Sequence, residues 1–270
     1  LHTWGGDTFT ALVTEVLSQL ADPVGALVNL SRFLELSEDR RSEITRMQEY
    51  PGYLRLLGEL FSQGTLSQDL LCRHPGYGAW LWETIFPDRV RSRKEYLQAL
   101  EDAFREHNTL DARQKWLRQF SQREMLRIMA RETHIHAPLE SVVSDISRLA
   151  DTMIEGSLRA SMEHLSERFG VLVAEDNPEQ KVTFCVIAMG KLGGNELNFS
   201  SDIDLLFIYS HSGHTLENAS VSATTEEYFR KLCELIIKAL SEKTSEGHVF
   251  RVDTRLRPFG RSGPLACPLD

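Results

Sequence analysis

Apolar residues recur at spacings of three and four through most of the first 170 positions, which is the repeat of an amphipathic helix. This spacing predicts helices over residues 7–20, 91–107 and 111–131. A longer helix is predicted from Pro138 to Gly170, because proline suits the first turn of a helix and glycine often follows the last. The N-terminal part of the chain is therefore expected to be all helical.

The pattern changes after Gly170. Short runs of apolar and β-branched residues at 182–188, 202–209 and 248–256 predict three strands. Between the second and third runs, Thr224 and Glu227 have the spacing of a capping box at the start of a helix with a wide apolar face. We therefore predict a helical domain over residues 1–170 and an α/β domain over residues 171–270.

The predicted helix at residues 111–131 carries a row of basic side chains. One interpretation is an ordinary solvated helix surface. The other is a face that meets nucleotide phosphates or an acidic partner, and the sequence leaves both open. The basic residues are Arg113, Lys115, Arg118, Arg123, Arg127 and Arg131.

Composition and charge exclude several classes of protein. The 270 residues are 41% hydrophobic and 26% charged, as in ordinary globular proteins. A net charge of -9 argues against a broad nucleic-acid-binding surface, although a metal and a few basic side chains can still hold a nucleotide. No apolar run approaches the ~20 residues of a membrane span. Four widely spaced cysteines indicate a reducing cytoplasmic location, and the missing initial methionine suggests a fragment of a longer protein.

Three aspartates are the candidate catalytic and metal-binding residues. Asp202 and Asp204 are two positions apart in the second predicted strand, so their side chains share a face. Asp253 joins them if the third strand is a neighbour. Three close carboxylates repel one another unless a cation lies between them, and Mg²⁺ prefers oxygen ligands. We expect a metal-dependent phosphate site with one or two Mg²⁺ ions, or Mn²⁺ instead, whereas the alternative is a merely solvated strand end.

Phosphate contacts are expected from the glycine-rich turn before the second strand and from the arginines after Asp253. Glycines allow backbone N–H groups to approach a phosphate, and hydroxyl, ammonium and guanidinium groups bind its oxygens. The candidate nucleotide- and phosphate-binding residues are Lys191, Gly193, Gly194, Ser200, Ser201, Arg255 and Arg257.

Two longer blocks carry a family resemblance. Residues 190–205 read Gly-Lys-Leu-Gly-Gly-Asn-Glu-Leu-Asn-Phe-Ser-Ser-Asp-Ile-Asp-Leu, and residues 251–260 read Arg-Val-Asp-Thr-Arg-Leu-Arg-Pro-Phe-Gly. Together with residues 69–75 and 123–128, they resemble the glutamine synthetase adenylyltransferase family. These are bacterial bifunctional enzymes that add AMP to, and remove it from, a tyrosine of glutamine synthetase.

The resemblance implies an α+β protein, in which an all-helical region precedes a polymerase-β-like nucleotidyltransferase domain with a small mixed sheet. It also implies that Asp202, Asp204 and Asp253 are the metal-binding carboxylates. In one respect the chain departs from the wider superfamily: two glycines replace a Gly-Ser pair, and only seven residues separate Gly194 from Asp202. We therefore expect a tighter turn.

Family members carry two catalytic domains, of which this chain resembles one. Residues 196–201 and 258–265 look more like the N-terminal copy, which removes AMP by phosphorolysis and releases ADP. The alternatives are the C-terminal copy, which adds AMP from ATP, and a degenerate nucleotide-binding regulatory module. A relative of nucleic-acid polymerases or tRNA nucleotidyltransferases is disfavoured by the net charge of -9. The implied partners are glutamine synthetase, ATP, ADP, phosphate and regulatory signalling proteins, with neither nucleic acid nor a membrane expected.

Overall fold

A computed structural model describes residues 2–86, 88–177, 179–215 and 222–269, with side chains described from Gly6 onward. The chain forms two compact units, each assembled from separate stretches of sequence. Unit 1 comprises Leu1–Val90 and Gln122–Val142, and unit 2 comprises Arg91–Ser121 and Val143–Asp270. Helices give way to strands close to residue 170, but the two units do not divide there, so the predicted pair of sequence domains stays a prediction.

Unit 1 is built of helices around an apolar core. Asp22 caps α2 by accepting a hydrogen bond from Gly25 N at 2.9 Å, and Asp39 caps α3 through Ser42 N at 2.9 Å. Fully buried aromatic residues such as Phe33 fill the centre of this core. The helices are α1 (His2–Leu17), α2 (Pro23–Leu36), α3 (Arg40–Glu49), α4 (Pro51–Gln63), α5 (Thr65–Arg73) and α6 (Gly76–Thr84).

Unit 2 contains the remaining helices and the strands, apart from the parts of α8 and α9 that belong to unit 1. The long helix α9 ends at Phe169, and Gly170 follows it with φ 72°, the left-handed conformation that glycine commonly supplies after a helix. Thr224 and Glu227 form the predicted capping box of α11. The helices are α7 (Arg93–Glu106), α8 (Leu110–Thr133), α9 (Leu139–Phe169), α10 (Gly190–Gly193) and α11 (Thr225–Ser241). No helix in the described residues is both long and apolar enough to cross a membrane.

The sheet of unit 2 is small and mixed, as the family resemblance implies. Strand β3 is central: it pairs antiparallel with β2 and parallel with both β5 and β6. One face is covered by α11, where the Phe229 ring stacks on Phe184 and Tyr209 with ring centroids 4.9 and 5.1 Å away. The strands are β1 (Leu172–Ala174), β2 (Phe184–Met189), β3 (Ile203–Tyr209), β4 (Gly213–Thr215), β5 (Val252–Asp253) and β6 (Ala266–Pro268).

The predicted third strand, residues 248–256, is wrong in length, because only Val252 and Asp253 pair with β3. Upstream, the N–H groups of Val249 and Phe250 both donate to the Leu240 carbonyl at the end of α11, at 3.0 and 2.9 Å. Downstream, the chain turns immediately after Asp253. Alternation of apolar residues indicated an extended chain but did not reveal which backbone groups would find a partner strand.

The basic side of α8 is largely buried, so the interpretation as a solvated surface is wrong. In unit 1, Arg127 is 3% exposed and its Nε donates to Oε2 of the fully buried Glu124 at 2.8 Å. In unit 2, Arg113 forms an ion pair with Glu163. Both arginines thus engage carboxylates of the chain itself. The arginines of α8 that are no more than 9% exposed are Arg113, Arg118, Arg127 and Arg131.

Candidate active site

The sheet places Asp204 and Asp253 side by side. They are register partners in the parallel pairing of β3 with β5, so their side chains project from the same face. Asp202 lies just before β3, where Ile203 N donates to the Arg251 carbonyl at 2.9 Å and ties the two segments together. The three aspartates singled out in the sequence therefore come from adjoining positions of the fold.

Two arginines are the positive partners of these carboxylates. Arg251 Nε donates to Asp202 Oδ1 at 2.5 Å. Arg255 Nε donates to the two carboxylate oxygens of Asp253 at 3.0 and 2.7 Å, and its backbone N–H donates to Oδ1 at 2.8 Å. The Arg255 side chain and backbone bonds lower the pKa of Asp253, because they stabilise its ionised form. Asp253 in turn raises the pKa of Arg255, with smaller contributions from Asp202 and Asp204.

Among the described residues, no three or more His, Cys, Asp or Glu side chains are grouped so that they could hold a metal ion. Arg251 and Arg255 form ion pairs with the carboxylates of Asp202 and Asp253. The donor chemistry nevertheless fits, because three carboxylates are the oxygen ligands that a hard divalent cation prefers. In this structure the positive charges next to the carboxylates are the guanidinium groups of Arg251 and Arg255.

The turn between β2 and β3 needs glycine at two positions. Gly190 has φ 56°, and a Cβ atom there would lie 2.5 Å from Asp204 Oδ2. A Cβ on Gly193 would lie 2.6 Å from the Ala188 carbonyl oxygen. Gly194 is less constrained, since the nearest atom to an added Cβ is 3.7 Å away. Its N–H donates to the Gly190 carbonyl at 3.1 Å, so it is engaged within the turn, and phosphate binding by these glycines stays a prediction.

The other candidates from this turn form a short polar chain. Lys191 Nζ donates to Ser201 Oγ at 3.3 Å, and Ser201 Oγ donates to Asn198 Oδ1 at 2.6 Å. The Ser200 carbonyl accepts from Arg251 Nη2 at 2.5 Å. Arg251 therefore bridges the serine segment and Asp202, and it positions both relative to β5.

Arg257 is directed towards its own loop. Its Nη1 donates to the Thr254 carbonyl at 2.7 Å, its Nε to the Gly263 carbonyl at 3.2 Å, and its Nη2 to the Arg261 carbonyl at 3.3 Å. A guanidinium with so many backbone partners organises a loop, and only Arg255 of the two predicted arginines faces the carboxylates. Phosphate binding by Arg257 stays a prediction.

The long helix α9 supports the glycine turn from within unit 2. Ser147 Oγ accepts the N–H of the fully buried Leu197 at 3.1 Å, and Asn195 Nδ2 donates to Ser144 Oγ at 3.3 Å. A buried N–H without a partner is costly, so the serine hydroxyl holds the segment that leads into Asp202. The sequence predicted a long helix but gave no sign of this contact.

Two further residues of the site were missed by the sequence analysis. Arg251 lies two positions before Asp253, so strand alternation already placed it on the carboxylate face. Its contact with Asp202 depends on how β5 meets β3, which the sequence does not show. Gly190 was quoted only as part of a motif, and its positive φ has no sequence signal beyond the residue type.

Comparison with known proteins gives a consistent family match. The sequence model described as glutamate-ammonia ligase adenylyltransferase matches residues 54–270. The bifunctional glutamine synthetase adenylyltransferase/adenylyl-removing enzyme of Shewanella frigidimarina is 31% identical over 235 residues, which cover 87% of this chain and 24% of the relative. Proteins of the same name from Shewanella woodyi and Pseudomonas aeruginosa are 31% identical over 256 residues and 42% over 180. Those alignments cover 94% and 66% of this chain, and 25% and 17% of the relatives.

The chain spans at most about a quarter of the length of these relatives. The matched residues 54–270 include the glycine turn, the three aspartates and the arginines that bind them. The resemblance seen in residues 190–205 and 251–260 is thereby confirmed. The chain belongs to the glutamate-ammonia ligase adenylyltransferase family.

Proposed function

We propose that this chain carries the adenylyl-removing nucleotidyltransferase centre of a protein that acts on glutamine synthetase. The observation that carries the proposal is the parallel register of Asp204 with Asp253, beside the ion pairs of Arg251 and Arg255. The printed names of the relatives describe both adenylyl transfer and adenylyl removal. Removal is favoured over addition by residues 196–201 and 258–265, which resemble the N-terminal copy of the family.

In the proposed reaction, an oxygen of hydrogen phosphate attacks the phosphorus of the AMP–tyrosine phosphodiester. The bond from phosphorus to the tyrosine oxygen breaks, the proton of hydrogen phosphate passes to that oxygen, and ADP and the free tyrosine side chain form. Both reactants are anions, so positive charge must offset their repulsion. The side chains of Arg251 and Arg255 are 61% and 62% exposed, which leaves their outer surfaces open to such anions.

We propose that Asp202, Asp204 and Asp253 hold Mg²⁺, or Mn²⁺ in its place. A bound divalent cation would neutralise charge on the transferred phosphoryl group. Gly190 leaves room for the Asp204 carboxylate against the turn, since a Cβ there would lie 2.5 Å from Oδ2. Arg251 fixes Asp202 relative to the serine segment. Gly190 and Arg251 thus help to position the carboxylates of Asp204 and Asp202.

The test is phosphorolysis by the full-length protein that contains this chain. Glutamine synthetase carrying AMP is incubated with phosphate and Mg²⁺, and ADP release is measured for the parent, Asp204→Asn and a control, Asp102→Asn. Asp102 is an exposed aspartate on α7 that pairs with Arg105 and accepts a hydrogen bond from Gln98 at the surface, so this variant keeps activity. The loss expected for Asp204→Asn is about 10²–10³-fold, as for removal of one charge-stabilising group.

Full phosphorolysis by both variants would refute the proposed centre. Loss of AMP incorporation from ATP in Asp204→Asn, with ADP release from the modified substrate kept, would assign the chain to the adenylyl-adding half. Nucleotide binding without turnover of either substrate would identify a regulatory module.

A further inference from the structure

The loop formed by residues 254–263, which directly follows Asp253 in the chain, exposes large apolar side chains. Phe259 is 86% exposed, the highest value among the large hydrophobic residues that the structure describes, and Leu256 is 57% exposed. Large apolar side chains exposed next to a site are common where another molecule binds.

Phe259 is held in an unfavourable backbone conformation. Its φ and ψ are 61° and 11°, in the left-handed region that a bulky side chain rarely occupies. Gly260 follows with φ 55°, and a Cβ on Gly263 would lie 2.1 Å from the Pro258 carbonyl, so the chain folds back tightly on itself. Such strain persists where surrounding contacts impose it, and it is concentrated at binding and catalytic sites.

Arg257 provides the contacts that impose this conformation. Its guanidinium donates to carbonyls before and after Phe259, those of Thr254, Arg261 and Gly263. The Gly260 N–H donates to the Arg257 carbonyl at 2.9 Å and closes the turn. The aromatic ring is therefore presented outward by a loop that is already ordered, which reduces the entropy lost when a partner binds.

The charges around the ring indicate the chemistry of the partner. Arg255 and Arg261 are both exposed and belong to the same loop. A partner that fits this surface has an apolar patch bordered by acidic groups.

We propose that the 254–263 loop docks the protein substrate, with Phe259 and Leu256 contacting an apolar patch beside the AMP-bearing tyrosine, and Arg255 and Arg261 facing acidic groups around it. This assignment rests on the proposed function, because it takes the segment of glutamine synthetase around the modified tyrosine as the occupant. Aromatic anchors on ordered surfaces supply much of the affinity of protein interfaces. Phe259 is thus a specificity-determining residue for protein over small-molecule substrates.

The test compares two substrates in the full-length protein. One is AMP-modified glutamine synthetase, and the other is O-adenylyl-tyrosine amide, which has the same phosphodiester without a protein surface. Phe259→Ala removes the ring, and Phe259→Gly removes it while accepting the left-handed backbone without strain. Leu139→Ala is the control, because Leu139 is 64% exposed and lies outside the loop at the start of α9.

For both Phe259 variants, kcat/KM for the protein substrate is expected to fall about ten-fold or more, equivalent to about 1.4 kcal/mol, mainly through KM. The loss with the tyrosine amide is expected to be smaller, so the ratio of the two kcat/KM values falls. Phe259→Trp restores most of the protein activity, and Leu139→Ala leaves the ratio as in the parent. An equal loss with both substrates, or no loss with the protein, would overturn the docking proposal.

Direct binding separates this proposal from the proposed function. Immobilised full-length protein is titrated with glutamine synthetase, and the Kd of the parent is compared with that of Phe259→Ala. A weaker Kd in the variant supports docking even if the parent releases no ADP, in which case only the proposed reaction fails. Equal Kd values overturn docking and leave the reaction unaffected.

Discussion

Substitution of Gly190 by alanine separates the stability of the glycine turn from its function. Gly190 has φ 56°, which costs a residue with a Cβ roughly 1–2 kcal/mol. Alanine also restricts the unfolded chain, which returns about 0.4–1 kcal/mol. The expected net loss of unfolding free energy is therefore about 1 kcal/mol, or a fall in Tm of roughly 2–4 °C.

The effect on activity is expected to be much larger, because the new Cβ meets a catalytic group. It would lie 2.5 Å from Asp204 Oδ2, whereas carbon–oxygen contacts are ordinarily ~3.3–3.6 Å. The short side chain of Asp204 can move away at little cost to stability, but its carboxylate then shifts by about 1 Å. A misplacement of about 1 Å costs on the order of 10²-fold in rate.

The measurements are thermal unfolding and ADP release from AMP-modified glutamine synthetase. Gly194→Ala is the matched control for stability: Gly194 has φ -82° and ψ 0°, and no atom lies within 3.7 Å of an added Cβ. Its stability is expected to be kept or raised by up to about 1 kcal/mol. The reasoning is refuted if Gly190→Ala retains the kcat/KM of the parent, or if its Tm change equals that of Gly194→Ala.

Three further predictions test other parts of the site and fold. Arg251→Gln is expected to lower kcat while changing stability by no more than about 1 kcal/mol, because the Arg251–Asp202 pair is exposed; unchanged kcat would remove Arg251 from the site. Arg127→Met removes a buried positive partner of Glu124 and is expected to cost roughly 3–5 kcal/mol in urea unfolding, partly recovered by adding Glu124→Gln; a single variant as stable as the parent would contradict this. Arg255→Gln removes the main cause of the lowered Asp253 pKa. The acidic limb of the plot of kcat/KM against pH is therefore expected to move to higher pH. If that limb does not move, Asp253 is not the group that titrates there.

The sign of the last prediction follows from linkage. A carboxyl group whose pKa is lower in the folded than in the unfolded protein is stabilised in its ionised form. Its contribution to the free energy of unfolding is fully present above the unfolded-state pKa. It is lost as the pH falls through the lower, folded-state value. Removing Arg255 brings the folded-state pKa of Asp253 closer to its unfolded-state value, so Asp253 takes up its proton at a higher pH. The exposed position of Arg255 makes activity, and not stability, the appropriate measurement.

Local signals in the sequence predicted the elements that position the site. The capping box at Thr224 and Glu227 and the end of the long helix just before Gly170 are formed as predicted, because each depends on residues close in sequence. The two main strands, β2 and β3, were also found from their apolar runs. A shared sheet face for Asp204 and Asp253 was expected if the third strand was a neighbour of the second, but the register that makes them partners was not predicted.

Non-local contacts account for what the sequence could not predict. The extent of β5 depends on the Leu240 carbonyl, which takes the N–H groups of Val249 and Phe250 away from any strand. The burial of Arg127 depends on the folded chain enclosing it together with Glu124. In both cases, the residue types were compatible with a surface or a strand, and the partner that decided the outcome came from the folded environment.

The arginines of residues 251–261 show that a pattern of charges in the sequence does not predict which group each charge contacts. Sequence alone makes them equivalent cations near Asp253, whereas the structure gives them different contacts. Arg251 and Arg255 bind carboxylates through their side chains, and Arg257 binds carbonyls of its own loop. Charge at a phosphate site and order in a docking loop both require guanidinium groups, but a guanidinium with several backbone partners is poorly placed to bind substrate as well. Arg257→Gln is therefore expected to disturb recognition of the protein through Phe259 more than it disturbs the charge at the carboxylates.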